Sequence, residues 1–175
     1  MEPCMLVKPD ITYENEILAY RAEMLENNSA MDGMGTLRQL TDVPEWLARI
    51  QAMENKETVP ENLVTADQYL YVRQADRRVV GMIQLRHELN AVLLEHGGHI
   101  GYSVRPSQRR KGYAKRMLAD CLTLCRARGL GRVLVTCNQL NEASRRTILA
   151  NGGVLENAVF VPSENKTFER YWIML

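Results

Sequence analysis

A chain of 175 residues is long enough for one domain with a full core, and a hydrophobic content of 46% sets it apart from disordered chains. Its 22 basic and 21 acidic residues leave a net charge of +1, which argues against a protein built to grip nucleic acid or a charged membrane surface. The N-terminus MEPCMLVKPD has no long apolar run and no later segment approaches the ~18 residues of a membrane span, so the expected location is cytoplasmic.

In chain order, residues 5–8 read as a short first strand. Residues 14–27 place Ile17, Leu18, Met24 and Leu25 at helical spacing, and Asn27, Asn28 and Ser29 close that helix. Residues 31–41 carry Gly33 and Gly35 without a period and read as a mobile loop. A second helix over 44–53 follows, with Asp42 as its cap and Pro44 in its first turn. A polar loop over 54–66 leads to two strands, 68–74 and 79–86, joined by Ala75-Asp76-Arg77-Arg78 as a tight turn. Residues 89–94 are ambiguous and Gly97-Gly98 ends them. Residues 99–104 form the third strand of this run, and a long helix over 107–128 follows with Ser107 as its cap. Then come a strand at 132–136, a helix opened by Asn141 and closed by Asn151-Gly152-Gly153, and strands at 154–161 and 167–174. Consecutive strands early and a strand–helix–strand crossover later imply a mixed sheet with helices on both faces. The loops of residues 31–66 are the expected mobile cover for a second ligand.

Cys4, Cys121, Cys125 and Cys137 form no CxxC pair and have no histidine at metal spacing, so no metal site is expected. Cys121 and Cys125 fall four apart on the apolar face of the long helix and read as packing residues.

The stretch HIGYSVRPSQRRKGYAKRMLA, residues 99–119, carries the most chemistry. Pro106 ends the strand, and a turn containing Gly112 feeds a helix whose apolar residues are Met117, Leu118, Cys121, Leu122 and Cys125. Unpaired N–H groups and the positive end of the helix dipole meet at such a start, which suits a diphosphate. Arg109, Arg110 and Lys111 add charge beside those donors.

Arg109-Arg110-Lys111-Gly112-Tyr113-Ala114 resembles the R/Q-x-x-G-x-G/A motif of the GCN5-related N-acetyltransferases, and Asn141-Glu142-Ala143-Ser144 resembles that family's N-x-A-S helix start. Asn151-Gly152-Gly153 stands where the family has a glycine turn. The likeness covers about residues 79–161 well and the N-terminal third by element order, and is nearest to a bacterial branch of predicted acetyltransferases. It implies a single α/β (α+β) domain with a mixed, mostly antiparallel sheet of about six or seven strands. Residues 1–66 would form the substrate side, 67–161 the cofactor-binding core and 162–175 the C-terminal strand. It also implies acetyl-CoA as cosubstrate. Main-chain groups of residues 109–114, that is Arg109, Arg110, Lys111, Gly112, Tyr113 and Ala114, would hold its diphosphate. Tyr102, Ser103 and Val104 would pair with the pantetheine arm as an added strand pairs with an edge, Asn141 would touch the same arm, and Ser144 would lie near the thioester.

Acetyl transfer to an amine needs a neutral nucleophile, a donor for the carbonyl oxygen and help for the departing thiolate. The resemblance gives the oxygen donor to the N–H of Val104. For the base, Glu95, His96 and His99 are near the strand, with Glu95 and His87 the weaker candidates, and histidine's ordinary pKa of roughly 6.5 suits neutrality. His99 stands just ahead of the strand, although strand parity leaves open which face holds substrate. For the acid, the family's usual tyrosine position is occupied by Ile148, which cannot donate; Tyr171 is the first substitute and Tyr102 the second. The expected activity is N-acetylation of a primary amine on a small molecule by direct attack in a ternary complex. Acetylation of a protein N-terminus or lysine, or a silent CoA-binding regulatory domain, are the alternatives. A homodimer through sheet edges or the C-terminal strands is expected, with neither nucleic acid nor membrane as partner.

Overall fold

The element order read from the sequence is the order in the computed structural model, which describes residues 2–175. Strand β1 (Cys4–Val7) precedes helices α1 (Glu14–Glu26) and α2 (Val43–Ala52). Strands β2 (Ala66–Arg73), β3 (Val79–Arg86) and β4 (Ile100–Val104) lead to α3 (Tyr113–Ala127). Strand β5 (Arg132–Asn138), helix α4 (Glu142–Leu149) and strands β6 (Val154–Val161) and β7 (Lys166–Met174) complete the chain.

The sheet expected to be one is two. A four-stranded sheet runs β1-β2-β3-β4 and a three-stranded sheet runs β5-β7-β6, every pairing antiparallel. Strands β4 and β5 meet only at their beginnings, where the His99 N–H donates to Leu134 O (2.8 Å). Beside that bond the Leu134 N–H donates to the His99 ring at Nδ1 (2.9 Å) instead of to a main-chain carbonyl. A main-chain bond and an imidazole bond thus tie the two strands at this one place, and beyond it they part like a V.

Strand β3 is buried along both faces, as a strand covered by helices on both sides must be. On one face α3 presents Met117, Leu118, Cys121, Leu122 and Cys125 to Ile83, Leu85, Ile100 and Val133. The other face carries α1 and α2 through Ile17, Tyr20, Met24, Trp46 and Ile50, packed on Leu70, Val72 and Met82. Asp42 caps α2 by accepting the Glu45 N–H (2.7 Å), as its position before Pro44 predicted.

The segment read as a mobile cover is packed down. Met34 and Leu37 are buried, the Trp46 indole N–H donates to Met34 O (3.0 Å), and Gln68 Nε2 donates to Gly33 O (2.7 Å). Gly33 rests directly on β4: a Cβ there would lie 2.1 Å from Gly101 O. Two glycines face to face allow this approach, so the first turns of the segment form a wall. The sequence showed Gly33 and Gly35 without a period and could not show the indole that pins them.

Helix α3 also starts later than residue 107. Residues Pro106–Gln108 form a separate 3-10 turn, and the Ser107 N–H is satisfied by the Glu23 carboxylate of α1 (2.6 Å). The left-handed Gly112 (φ 79°) is the cap, and Ser107 is not.

Candidate active site

The V between β4 and β5 holds a groove of about 1480 Å³. Tyr102, Ser103 and Val104 line one wall; Thr136, Cys137 and Asn138 of β5, with Asn141 and Ser144 of α4, line the other. One end is closed by Arg109, Arg110, Gly112, Tyr113 and Ala114, and the other by Asp32, Arg86, His96, Glu164, Lys166 and Phe168.

Register fixes what β4 offers the groove. The Arg105 N–H donates to Val80 O (3.0 Å), so Arg105 and Val80 are a hydrogen-bonded pair, whereas Val104 opposite Gly81 is not. The main-chain groups of Tyr102 and Val104 therefore point away from β3, toward the groove. Val104 O is taken by Arg109 Nε (3.0 Å), while its N–H meets no acceptor among the described residues. From Ile100 to Val104 the open edge runs about 13 Å at 3.3 Å per residue, a fitting rail for an extended pantetheine arm.

The loop at the far end is a nest of donors. Arg110 (φ 60°) and Gly112 (φ 79°) are left-handed within it, and no protein acceptor meets the N–H groups of Arg110, Lys111, Gly112, Tyr113 or Ala114 among the described residues. Such alternation turns successive N–H groups into one concavity, at the start of a 15-residue helix. The side chains divide the work differently from the sequence expectation. Arg109 is spent on Val104 O and Ser29 Oγ (3.0 Å), and Lys111 Nζ donates to Gln108 Oε1 (3.0 Å), outside the groove lining. Tyr113 is buried, so its backbone alone reaches the groove. Arg109 and Arg110 are both exposed and line the groove, and Arg110 is the one of the two whose side chain has no partner among the described residues.

Across the middle, the Tyr102 hydroxyl meets Ser144 Oγ at 2.8 Å, a bridge from β4 to α4. Burial pushes the Tyr102 phenol up to about 12, so it carries its proton at neutral pH. Asn141 caps α4 by accepting the Ser144 N–H (3.1 Å) and also lines the groove. Ile148 is fully buried beneath Gly153 and does not reach it.

His99 and Tyr171 stand elsewhere. His99 is buried at the joint of the sheets, and burial, then the charge of Arg86, lowers its pKa to about 4. With Nδ1 accepting a main-chain N–H, the ring is a neutral wedge outside the groove lining. The Tyr171 hydroxyl donates to Glu169 Oε2 (2.7 Å), whose carboxylate is paired with Arg145 (2.7 Å) behind β5. His87 is held by Asp67 (2.8 Å) and Thr65 (3.0 Å), also away from the groove. His96 does line it. Glu164 Oε1 is 3.4 Å from its Nε2, and Glu95 Oε2 is 3.4 Å from Nδ1 without an aligned hydrogen bond. Sequence reasoning missed Arg86, Glu164 and Lys166, because nothing in their local pattern says that the end of β3 and the turn before β7 converge.

A two-sheet α/β domain parted beside a donor-rich helix start is the architecture of the acyltransferases that carry an acyl thioester in the gap. Comparisons with known proteins agree. Mycobacterium smegmatis RimJ is 19% identical, with a TM-score of 0.73 over 98% of this chain and 81% of that one. The microcin self-immunity acetyltransferase MccE, solved with acetyl-CoA and AMP, is 14% identical with a TM-score of 0.71 over 98% and 92%. A chimera of the spermidine N-acetyltransferase SpeG from Vibrio cholerae and hSSAT is 13% identical with a TM-score of 0.65 over 98% and 95%. No curated protein sequence matches significantly. Residues 37–152 match the profile of the Acetyltransferase (GNAT) family, and the chain belongs to that family.

Proposed function

We infer that the protein is an acetyl-CoA-dependent N-acetyltransferase acting on a primary amine of a small molecule. The observation that carries this is the groove itself: unpaired donors of residues 110–114 at one end, the open edge of β4 along it, and a cluster of ionisable groups at the other. The donors at the helix start fit a diphosphate, the β4 edge fits the amides of pantetheine, and the acetyl carbon would lie near Tyr102. Residues 67–161 hold the donor in this reading. Asp32 brings residues 1–66 to the acceptor end, and Glu164, Lys166 and Phe168 bring residues 162–175 to it.

His96, rather than His99, is the group placed to take the proton from the acceptor ammonium, whose ordinary pKa of about 10.4 keeps it charged at neutrality. The nitrogen then attacks the thioester carbon, and the Val104 N–H receives the oxygen as it gains charge. As the C–S bond breaks, the Tyr102 hydroxyl donates a hydrogen bond to the sulfur. Its pKa near 12 lies above a thiol's ~8.5, so it steadies the thiolate and keeps its own proton; the second proton lost by nitrogen reaches the thiolate through solvent. No helix among the described residues is long and apolar enough to cross a membrane, and four free, buried cysteines suit a reducing cytoplasmic setting. The expected homodimer would use β6, the outer strand of its sheet, which exposes Val154, Leu155 and Phe160.

Calorimetric titration with acetyl-CoA, with NADH as control, followed by thiol release on adding primary amines, tests the reading. Binding of acetyl-CoA alone and amine-dependent release of CoA are expected. Binding without release for any amine would leave the regulatory alternative in its place.

A further inference from the structure

Two charged groups at the acceptor end are left over once every partner around them is assigned. Glu164 is taken up by His96 Nε2 (3.4 Å) and Lys166 Nζ (3.6 Å). Arg86 spends Nη1 on the carbonyls of Gly97 (2.8 Å) and Gly98 (3.0 Å), and its Nε and Nη2 meet no acceptor among the described residues. Gly101 keeps Nη2 open: a Cβ there would lie 3.4 Å from it. Asp32, fixed beside β4 by Gly33, has neither hydrogen bond nor ion pair among the described residues and feels Arg86, Lys166 and Glu164 only at longer range. Burial pushes its carboxyl up.

A half-buried guanidinium with two donor groups unused and an exposed carboxylate, both lining one groove and not paired with each other, suit a ligand of both signs. A simple diamine would leave Arg86 unanswered and add positive charge beside it. A peptide N-terminus would bring an amide where Arg86 has two charged donors to offer. A carboxylate matches that fork in shape and charge.

We propose that the acceptor is an amine that carries its own carboxylate, an α-amino acid being the simplest, with Arg86 receiving the carboxylate and Asp32 the ammonium. This rests on the acetyltransferase reading above. The amine nitrogen forms the new bond to the acetyl carbon, the thioester C–S bond breaks, and the products are an N-acetyl amino acid, CoA thiol and one proton released through His96.

The test is acetyl-CoA-dependent thiol release against the twenty common α-amino acids. For each one accepted, three analogues follow: its carboxamide, the amine lacking the carboxyl group, and a short peptide beginning with the same residue and blocked at its C-terminus. Calorimetry of acetyl-CoA binding runs beside it. At least one amino acid turns over, with kcat/KM about 10- to 100-fold above its three analogues, the worth of a hydrogen-bonded charge pair. Arg86→Gln brings that ratio to within about threefold, through KM for the amino acid, while acetyl-CoA affinity holds. Should Arg86→Gln fail to fold, the series on the unaltered chain decides alone. Analogues as good as the amino acid, or turnover of amines with no turnover of any amino acid, overturn the inference and leave the acetyltransferase standing. Absence of acetyl-CoA binding overturns both.

Discussion

Tyr102 and Tyr171 are separated by what their hydroxyls touch. The first faces Ser144 across the groove, and the second is bound to Glu169 behind β5. Tyr102→Phe is expected to lower kcat about 100-fold, the lower range for loss of a positioned acid or donor, with acetyl-CoA affinity within about threefold by calorimetry. Tyr171→Phe is expected to keep kcat within about twofold and to cost about 1 kcal/mol in urea denaturation, one buried hydrogen bond. The reverse outcome would return the role to Tyr171. Residue identity was legible in part. The sequence showed that Ile148 cannot donate, so that either another residue supplies the proton or the thiolate leaves without one. It put Tyr171 ahead of Tyr102 and could not show which strand tyrosine faces the gap, because that depends on α4 and β7 packing from far along the chain. The same holds for the histidines: His99 is fixed by Leu134, 35 residues away, whereas His96 enters the groove through the helical turn Leu93–Gly97.

At the scale of elements, the order of strands and helices was readable because each is short, periodic and punctuated by glycine, proline or a cap. The boundary that failed is the one that matters to the site. Helix α3 begins at Tyr113 because the preceding turn has its own supports: Glu23 holds the Ser107 N–H and Arg105, and Arg109 holds Val104 O. No local signal reveals bonds from α1, more than eighty positions earlier. This bracing makes the loop a rigid nest, and Gly112 is its most sensitive point. A β-branched side chain at φ 79° is strained by about 1–3 kcal/mol, and the loop can relieve that only by turning N–H groups away from the ligand. Gly112→Val is therefore expected to raise the acetyl-CoA Kd at least about 10-fold, since one charge-assisted bond is worth about 1.5–3 kcal/mol. The Tm should fall by only a few degrees, because the loop is exposed and the core beneath it is untouched. Unchanged affinity would remove the diphosphate from this loop.

The whole molecule is held across its parts by a few buried polar groups, and these set its response to acid. Asp67 on β2 gathers Lys8 from beyond β1 (2.6 Å), His87 from beyond β3 (2.8 Å) and Arg128 from the end of α3. Burial alone would raise its carboxyl, but the bonds from Lys8 and His87 and the charges of Lys8 and Arg128 outweigh it and hold the pKa below the ordinary range. His99 is lowered to about 4 by burial and by Arg86. Both signs run the same way. Between pH ~6.5 and ~4 an unfolded chain binds a proton at His99 that the folded chain refuses, so stability falls with pH. Below ~3.9 the unfolded chain protonates Asp67 first, and that contribution is lost as pH drops through the folded pKa. Asp32, raised by burial, acts in the opposite sense, so each variant is compared with the parent chain, where Asp32 is common to both. Urea denaturation from pH 7 to pH 3 should show Asp67→Asn less stable by about 2 kcal/mol at pH 7. That is short of the ~3–5 for a fully buried pair, because Lys8 and Arg128 are half-exposed and can turn to water. The difference from the parent should shrink below pH 4. His99→Gln should weaken the joint of the sheets at pH 7 yet flatten the decline between pH 6.5 and 4. An unchanged slope there would mean that the imidazole is not what holds β4 and β5 together at their shared beginning.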